Sequence, residues 1–583
     1  MAMLSAAWAG TAVVAEEKLP ESGPLMMALV DELQRAMKLQ MEDLEKPYFI
    51  QLDVDDSIIY QMQAEYGALT GSEKDRSRRL NCQARVGSAE LDNTNFAGDG
   101  GGFFLGGGRG RRGRSSSLPL DDDYLAIRQA IWQVADGEYK EAVETLTKKR
   151  AYLKDKNIAD RPNDFSPAKT AEQIGPIAVL KFDRALWEKN VQKISGHFKK
   201  YQQVQASSVQ LMAGAGNTYL VNSEGTRIRY ADAKAILTIN VEVQAEDGMR
   251  LPSTKRYAGS STADFPPMER IVKDIDALVT ELTAAMKAPE LERYSGPVLF
   301  DDLAAAQLFQ ALLADGVAGR PDTIGEERRN PFDKGSLEKK LGTQILPKSF
   351  QVWDDPKVDK LDGQVLLGHY EYDDQGIPVE RVDLVKDGKL EKLCLSRSPI
   401  KKLSGTNGHG RRGSGGGGVQ ANIGCLFIKS NDGVSDEKLK EALIDAAKEA
   451  GLEYGVRIKS LSSGSGMGGG DMRRMMRLLS GGGGGEGVTV GSPVATYKVF
   501  VEDGREEPFR GCEFGPIRMT ELKRIAAAGE KQRVYNTLGG GSFGGASAPS
   551  TIIAPAVLFP EIELAKSEEE HDKPPILEAP ASR

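Results

Sequence analysis

The sequence predicts an α+β protein with an N-terminal domain of antiparallel sheet and long helices, followed by a C-terminal, mostly β domain. Three observations predict it. Several long segments before residue 290 repeat apolar residues at helical spacing, stretches between them alternate apolar with polar residues, and beyond about residue 293 the pattern turns strand-rich. A chain of 583 residues is also longer than a single core sustains. The expected division is a signal remnant and linker over 1–24, the α+β domain over 25–292, the mostly β domain over 293–565 and a disordered tail over 566–583.

The first helix is read from Leu25, Leu29, Leu33 and Met37, and it leads into "YFIQLDVDD", which has strand character. The next stretch, to Phe96, alternates around "TGSEKD", which is read as a turn between antiparallel strands. Gly98 to Ser117 is a glycine and arginine tract, expected to be a loop or insertion because glycine-rich backbone loses too much entropy on ordering. "DDDYLAIRQAIWQVADGEYKEAVETLTKKR" then has acids in its first turn and bases towards its end, as the helix dipole prefers. "DRALWEKNVQKISGHFKKY" is a further amphipathic helix. Strands resume between Ser208 and Val243 around the hairpin signal "NSEGT". A helix carrying Met268, Ile271, Val272, Ile275, Leu278, Val279, Leu282 and Met286 as a buried stripe closes the first domain.

After "YSGPVLFDD" comes a short apolar helix expected to stop at Gly316, and then strands with turns at "DDQG" and "KDGK". One further helix, "SDEKLKEALIDAAKEAG", has Ser435 as its cap and Gly451 as its stop.

Lys plus Arg (76) against Asp plus Glu (84) leaves a charge of −8, which gives no overall support for a nucleic-acid or membrane surface. The four cysteines and four histidines are widely spaced, without CxxC or HExxH, so no zinc ribbon, disulfide framework or local metal motif is indicated. "MAMLSAAWAGTAVVAEEKLP" resembles the apolar part of a secretory signal without its basic start. The location is periplasmic or secreted if this is a signal peptide and cytoplasmic otherwise. No run of about 20 apolar residues suggests a membrane span.

Few motifs carry chemistry. The arginines from Arg109 to Arg114 are read as a solvated loop, and "GSGMGGG" lacks the lysine and Ser/Thr that a phosphate loop needs. "SGTNGHGRR", Ser404 to Arg412, places Asn407, His409, Arg411 and Arg412 on a glycine-permitted turn. Those donors suit a carboxylate or peptide carbonyl, and the stretch is equally readable as a plain surface loop. No nucleophile elbow is present, and the acids of "EYDDQG" sit in turn chemistry where Asp bonds its own backbone.

Taken in order, "YGALTGSEKDRSRRLNCQARVGSAELDNTNF", "GNTYLVNSEGTRIRY", "GPVLFDDLAAAQLF", "YDDQGIPVERVDLVKDGKL", "NGHGRR", "GSPVATYKVFVEDGREE" and "SAPSTIIAPAVLFPEIEL" resemble the TldD/TldE (PmbA) family. Its members are also called modulators of DNA gyrase and include zinc metallopeptidases. The resemblance implies a two-domain α+β subunit that pairs around a chamber, one peptidase kind joining a TldD-type to a TldE-type chain. In the TldD-type chain a helix after the "GPVLF"-like strand carries His-Glu-x-x-x-His, and a cysteine near the C-terminus completes the zinc site. Alignment on "GPVLF" and "AAA" puts Gln310 and Asp315 at the histidine places and Ala311 at the glutamate place, and "NTLGGGSFGGAS" has no cysteine. Catalytic zinc needs about three protein donors and a base.

The resemblance therefore implies the TldE type: no catalytic residue, no metal in this chain, and zinc only in a partner. The expected partners are a second subunit, in a homodimer or in a heterodimer with a TldD-type chain, and an unfolded or extended peptide, with no nucleic acid and no membrane. The rival readings are an independent hydrolase rebuilt around His409, Arg411 and Arg412, and a peptide-binding protein that uses strand addition.

Overall fold

The computed structural model describes residues 23–97, 114–325, 336–413, 418–462, 490–539, 548–569 and 571–575. The signal-like start, most of the first glycine-arginine tract, the "GSGMGGG" tract, most of "NTLGGGSFGGAS" and the last eight residues lie outside the described residues. The fold is mixed α+β and carries two large sheets.

The first sheet has β1 (Pro47–Glu65), β2 (Ala68–Val86), β3 (Arg114–Ser117), β4 (Glu172–Ile174), β5 (Val204–Asn222), β6 (Arg227–Gln244) and β7 (Arg250–Gly259). Its order is β3-β2-β1-β5-β6, with β4 and β7 both on β6, and every pair is antiparallel except β4 with β6. "TGSEKD" is not a turn: it lies inside β2, paired along β1. The chain reverses at Tyr66 and Gly67, whose φ of 45° and 83° suit the two-residue turn that matches strand twist. The end of the glycine-arginine tract is likewise no loop, because Arg114–Ser117 pairs with β2.

Helices α1 (Pro24–Ala36), α2 (Tyr124–Asp155), α3 (Arg184–Gly196) and α4 (Met268–Met286) all cover one face of this sheet. Pro24 opens α1 with its φ already set, and the Asp123 carboxylate caps α2 by accepting from the Ala126 N–H. Along β1, Leu52, Val54, Met62 and Ala64 share one parity, so a single face meets α1 and α2 at one end and α3 and α4 at the other. The apolar stripe of α4 is buried at Met268, Ile271, Ile275, Val279 and Leu282.

The second sheet runs Lys389–Leu390, Val382–Lys386, Phe350–Asp354, Cys425–Ser430, Ser550–Lys566, β8 (Arg293–Phe300), Tyr454–Leu461, Pro493–Phe500, Glu506–Phe509. Cys512–Phe514 and Ala527–Thr537 also pair with Ser550–Lys566. Successive β8 residues split between its two faces: Val298 and Phe300 join the core under α5 (Asp302–Phe309), and Leu299 packs with Leu439 and Leu443 of α6 (Asp436–Glu449). Ser435 and Gly451, at φ +68°, bound α6 as the sequence suggests.

The short helix after β8 departs from expectation at its end. It is α-helical only to Phe309 and continues as a π-turn over Gln310–Ala314. Gly316 does not take a left-handed conformation; glycine is needed there because a Cβ would lie 2.8 Å from Leu337 Cγ. The tail is described as far as residue 575, and there Gln244 Nε2 donates to the Asp572 carbonyl at 3.0 Å.

A polar pocket between the first sheet and the 373–413 loops

Strand periodicity builds one wall of a pocket. With Ile50, Leu52 and Val54 turned into the helix-covered core, Gln51, Asp53 and Asp55 take the other face. Register sets Asn81 of β2 and Leu220 of β5 opposite Asp53, and Arg79 and Thr218 opposite Asp55, with Tyr230 of β6 beside Thr218. These residues, with Asp374, Arg412 and Gly413, line a pocket of about 240 Å³.

The facing wall is two loops tied together. Asp373 Oδ1 accepts from the N–H groups of Gln375 and Ile377, both at 2.9 Å, and Oδ2 accepts from the Gly410 N–H at 2.9 Å. The Asx turn expected at "DDQG" is thus formed, and it also carries the 407–412 loop. Burial pushes the Asp373 carboxyl up to about 7 against the pull of those three donors. Glycine is required at 408, where φ is +76° and a Cβ would meet the Pro378 carbonyl at 2.6 Å.

Arg412 closes the pocket onto the sheet. Its Nη1 and Nη2 donate to the two oxygens of Asp53 at 2.8 and 2.9 Å, and Asn81 Nδ2 donates to Asp53 Oδ1 at 2.9 Å. Asp55 is exposed to the pocket yet walled by protein behind. That enclosure, then the charges of Asp53 and Asp374, push its carboxyl up to about 6, against Arg412 and the Thr218 hydroxyl. Burial, then Asp374 and Asp55, raise the Tyr230 phenol above its ordinary value.

Of the four binding residues read from the sequence, only Arg412 lines this pocket. Arg411 stacks 4.0 Å from the Tyr370 ring centroid, with its Nε 3.7 Å from Asp374 Oδ2. Asn407 is a main-chain clamp: its Oδ1 accepts from the Leu395 N–H at 2.7 Å and its Nδ2 donates to the Leu393 carbonyl at 2.9 Å. His409 is fully buried, with Nδ1 3.0 Å from the Asn407 carbonyl and Nε2 3.0 Å from Asp354 Oδ1. Both ring nitrogens are engaged, so His409 presents no lone pair to a substrate, and the rebuilt hydrolase centre has no base there.

The acids of the sheet wall were missed in the sequence. Their signal was the alternation in "QLDVD", where carboxylates at every second place of an apolar strand mark a polar face.

Gln310, Ala311 and Asp315, the positions that the resemblance sets against the zinc site, lie on the π-turn after α5 and at its cap. In an α-helix, residues five apart sit roughly 140° apart around the axis. The i→i+5 turn over Gln310–Ala314 draws Gln310 and Asp315 towards a common side. The residues themselves do not fit zinc. Gln310 offers a neutral amide, Ala311 has no base, and Asp315 is about half exposed and 3.4 Å from Arg320 Nη2. No helix among the described residues is long and apolar enough to cross a membrane.

The two-sheet α+β fold carries a helix bearing this turn directly after the strand Arg293–Phe300, and the sequence match over its C-terminal half is to a metallopeptidase-like domain. Residues 293–478 match the PmbA/TldA metallopeptidase C-terminal domain. A metalloprotease of Methanothermobacter thermautotrophicus is 26% identical over 252 residues, 42% of this chain and 51% of that protein, so the chain spans about half the length of this relative. TldE from Thermococcus kodakarensis superposes with a TM-score of 0.56 at 14% identity, over 92% of this chain and 100% of that one. A Thermotoga maritima protein described as a candidate modulator of a DNA gyrase gives 0.56 at 13% identity, over 89% and 96%. Residues 293–478 thus form a domain of the PmbA/TldA metallopeptidase C-terminal type, and the fold over most of the chain is that of the TldE and gyrase-modulator structures.

Proposed function

We propose that this chain is a TldE-type subunit that lacks the family's catalytic zinc and serves a zinc-bearing partner as a structural or substrate-guiding half. The observation that supports this reading is the set of side chains at the π-turn: Gln310, Ala311 and Asp315, which the resemblance aligns with two histidines and a glutamate, offer a neutral amide, a methyl group and one carboxylate 3.4 Å from Arg320. The pocket supports the guiding role. Its Arg412, Asn81 and Tyr230 donors and its Asp55 and Asp374 acceptors suit the alternating donors and acceptors of an extended peptide.

The test is co-assembly with a family chain bearing His-Glu-x-x-x-His. The two chains are expected to co-elute in gel filtration as a complex that cleaves an unstructured peptide, and loading that mixture with Arg412→Ala chain is expected to weaken peptide binding. Two chains that elute separately, with cleavage unaltered by mixing, would overturn the reading.

A further inference from the structure

The pocket uses neither His409 nor the two groups that face it. Asp354 ends the strand Phe350–Asp354, Cys394 lies on the short strand Cys394–Leu395, and His409 precedes the strand Gly410–Arg412. All three are fully buried, and one ligand atom from each lies within 4.8 Å of the others. Among the described residues this is the one such cluster of His, Cys, Asp and Glu side chains.

Hydrogen-bond chemistry makes the cluster unusual. The Asn407 carbonyl can only accept, so the His409 Nδ1 beside it carries a proton. Nε2 then faces Asp354 Oδ1 at 3.0 Å, a lone pair towards a carboxylate that already accepts from the Gly424 N–H at 3.1 Å. Two acceptors held face to face in a dry interior need a positive centre between them. A histidine that binds metal is commonly fixed in this way, its second nitrogen donating to a main-chain carbonyl. The third side of the gap is a cysteine sulfur, with no disulfide.

We propose that Asp354, Cys394 and His409 form a buried structural site for a divalent metal of the zinc type, separate from the family's catalytic zinc position and independent of the subunit reading. Thiolate, imidazole and carboxylate together are a donor set that zinc accepts, and the second oxygen of Asp354 supplies a fourth donor atom. The charge balances. Without metal, a neutral thiol, an imidazolium and a carboxylate sum to zero; with metal, M²⁺ joins a thiolate, a neutral imidazole and a carboxylate, again zero, and two protons are released. The site ties the strand Phe350–Asp354 and Cys394 to the loop that carries Arg412, so it would hold one wall of the pocket in register.

The experiment is to produce the full chain in medium supplemented with cobalt, and in parallel with zinc, and to measure metal content and spectrum. About one equivalent of metal per folded chain is expected, with the charge-transfer absorption of a cobalt–thiolate bond. Cys394→Ser and His409→Gln should lose that absorption, whereas Cys425→Ser, Cys512→Ser and Asp315→Asn should keep it. X-ray absorption on the unaltered zinc protein guards against variants that fail to fold, and is expected to give one sulfur at about 2.3 Å. A well-folded wild-type chain holding less than a tenth of an equivalent, or absorption that survives in Cys394→Ser, would overturn the proposal and leave a proton between His409 and Asp354.

Discussion

Replacing Arg412 by alanine removes both arms of the fork that joins the 407–412 loop to the first sheet. Its partner Asp53 has a side chain only 5% exposed, and that of Arg412 is 19% exposed, so the pair is largely shielded from water. Removing one member of a buried pair costs about 3–5 kcal/mol, because the other charge is left without compensation. Asp53 keeps its bonds from Asn81 at 2.9 Å and Gln51 at 3.2 Å, and the pocket admits water on one side, which places the loss near the lower end, about 3 kcal/mol. Urea unfolding is the assay. Adding Asp53→Asn to Arg412→Ala removes the stranded charge and should restore at least about 1.5 kcal/mol, the scale of coupling between contacting groups. Arg412→Lys should fall between wild type and alanine, since it keeps the charge and loses the fork. A loss below about 1 kcal/mol for Arg412→Ala, or a double variant no more stable than the single, would refute the reasoning.

Asp55 should titrate near 6 when its carboxyl carbon is followed by NMR, moving up in Arg412→Ala and down in Asp53→Asn. Because its folded-state value lies above the ordinary 3.8, the folded chain holds this proton longer than the unfolded one, so its ionisation lowers stability as pH rises from about 4 to 6; Asp55→Asn should remove that component. Gly388→Ala should cost at least about 3 kcal/mol by thermal or urea unfolding, since φ is +73° and the new Cβ would lie 2.3 Å from the Leu346 carbonyl oxygen. Gly405→Ala, at φ +91° with open space around it, should cost only about 1 kcal/mol, and equal losses at the two sites would show that the close contact contributes nothing.

Local pattern made much of the fold legible. The stripe from Met268 to Leu282 lies on the buried face of α4, and "NSEGT" forms its hairpin because Asn222 Oδ1 accepts from Glu224 and Thr226 while Gly225 takes φ +105°. "TGSEKD" misled because its composition is that of a turn, yet Gly71 to Asp75 are paired residue by residue with β1, and pairing outweighs local preference. The pocket was half legible: Arg412 stood out by its chemistry, whereas Asp53 and Asp55 gained meaning only when register set them opposite Asn81 and Arg79. The Asp354, Cys394 and His409 cluster was not legible at all, because the fold brings together a large-sheet strand, a separate short strand and a loop whose residues lie 40 and 15 positions apart and share no motif. The π-turn at Gln310 leaves no composition signal, since residues 304–314 read as an ordinary apolar helix.

The most direct measurement of the central claim is cleavage by the purified chain alone. An unstructured peptide is incubated with the chain and excess zinc, and the products are followed by mass spectrometry. The account predicts no cleavage above a no-protein control. Robust zinc-dependent cleavage by this chain, abolished in Asp315→Asn, would contradict it.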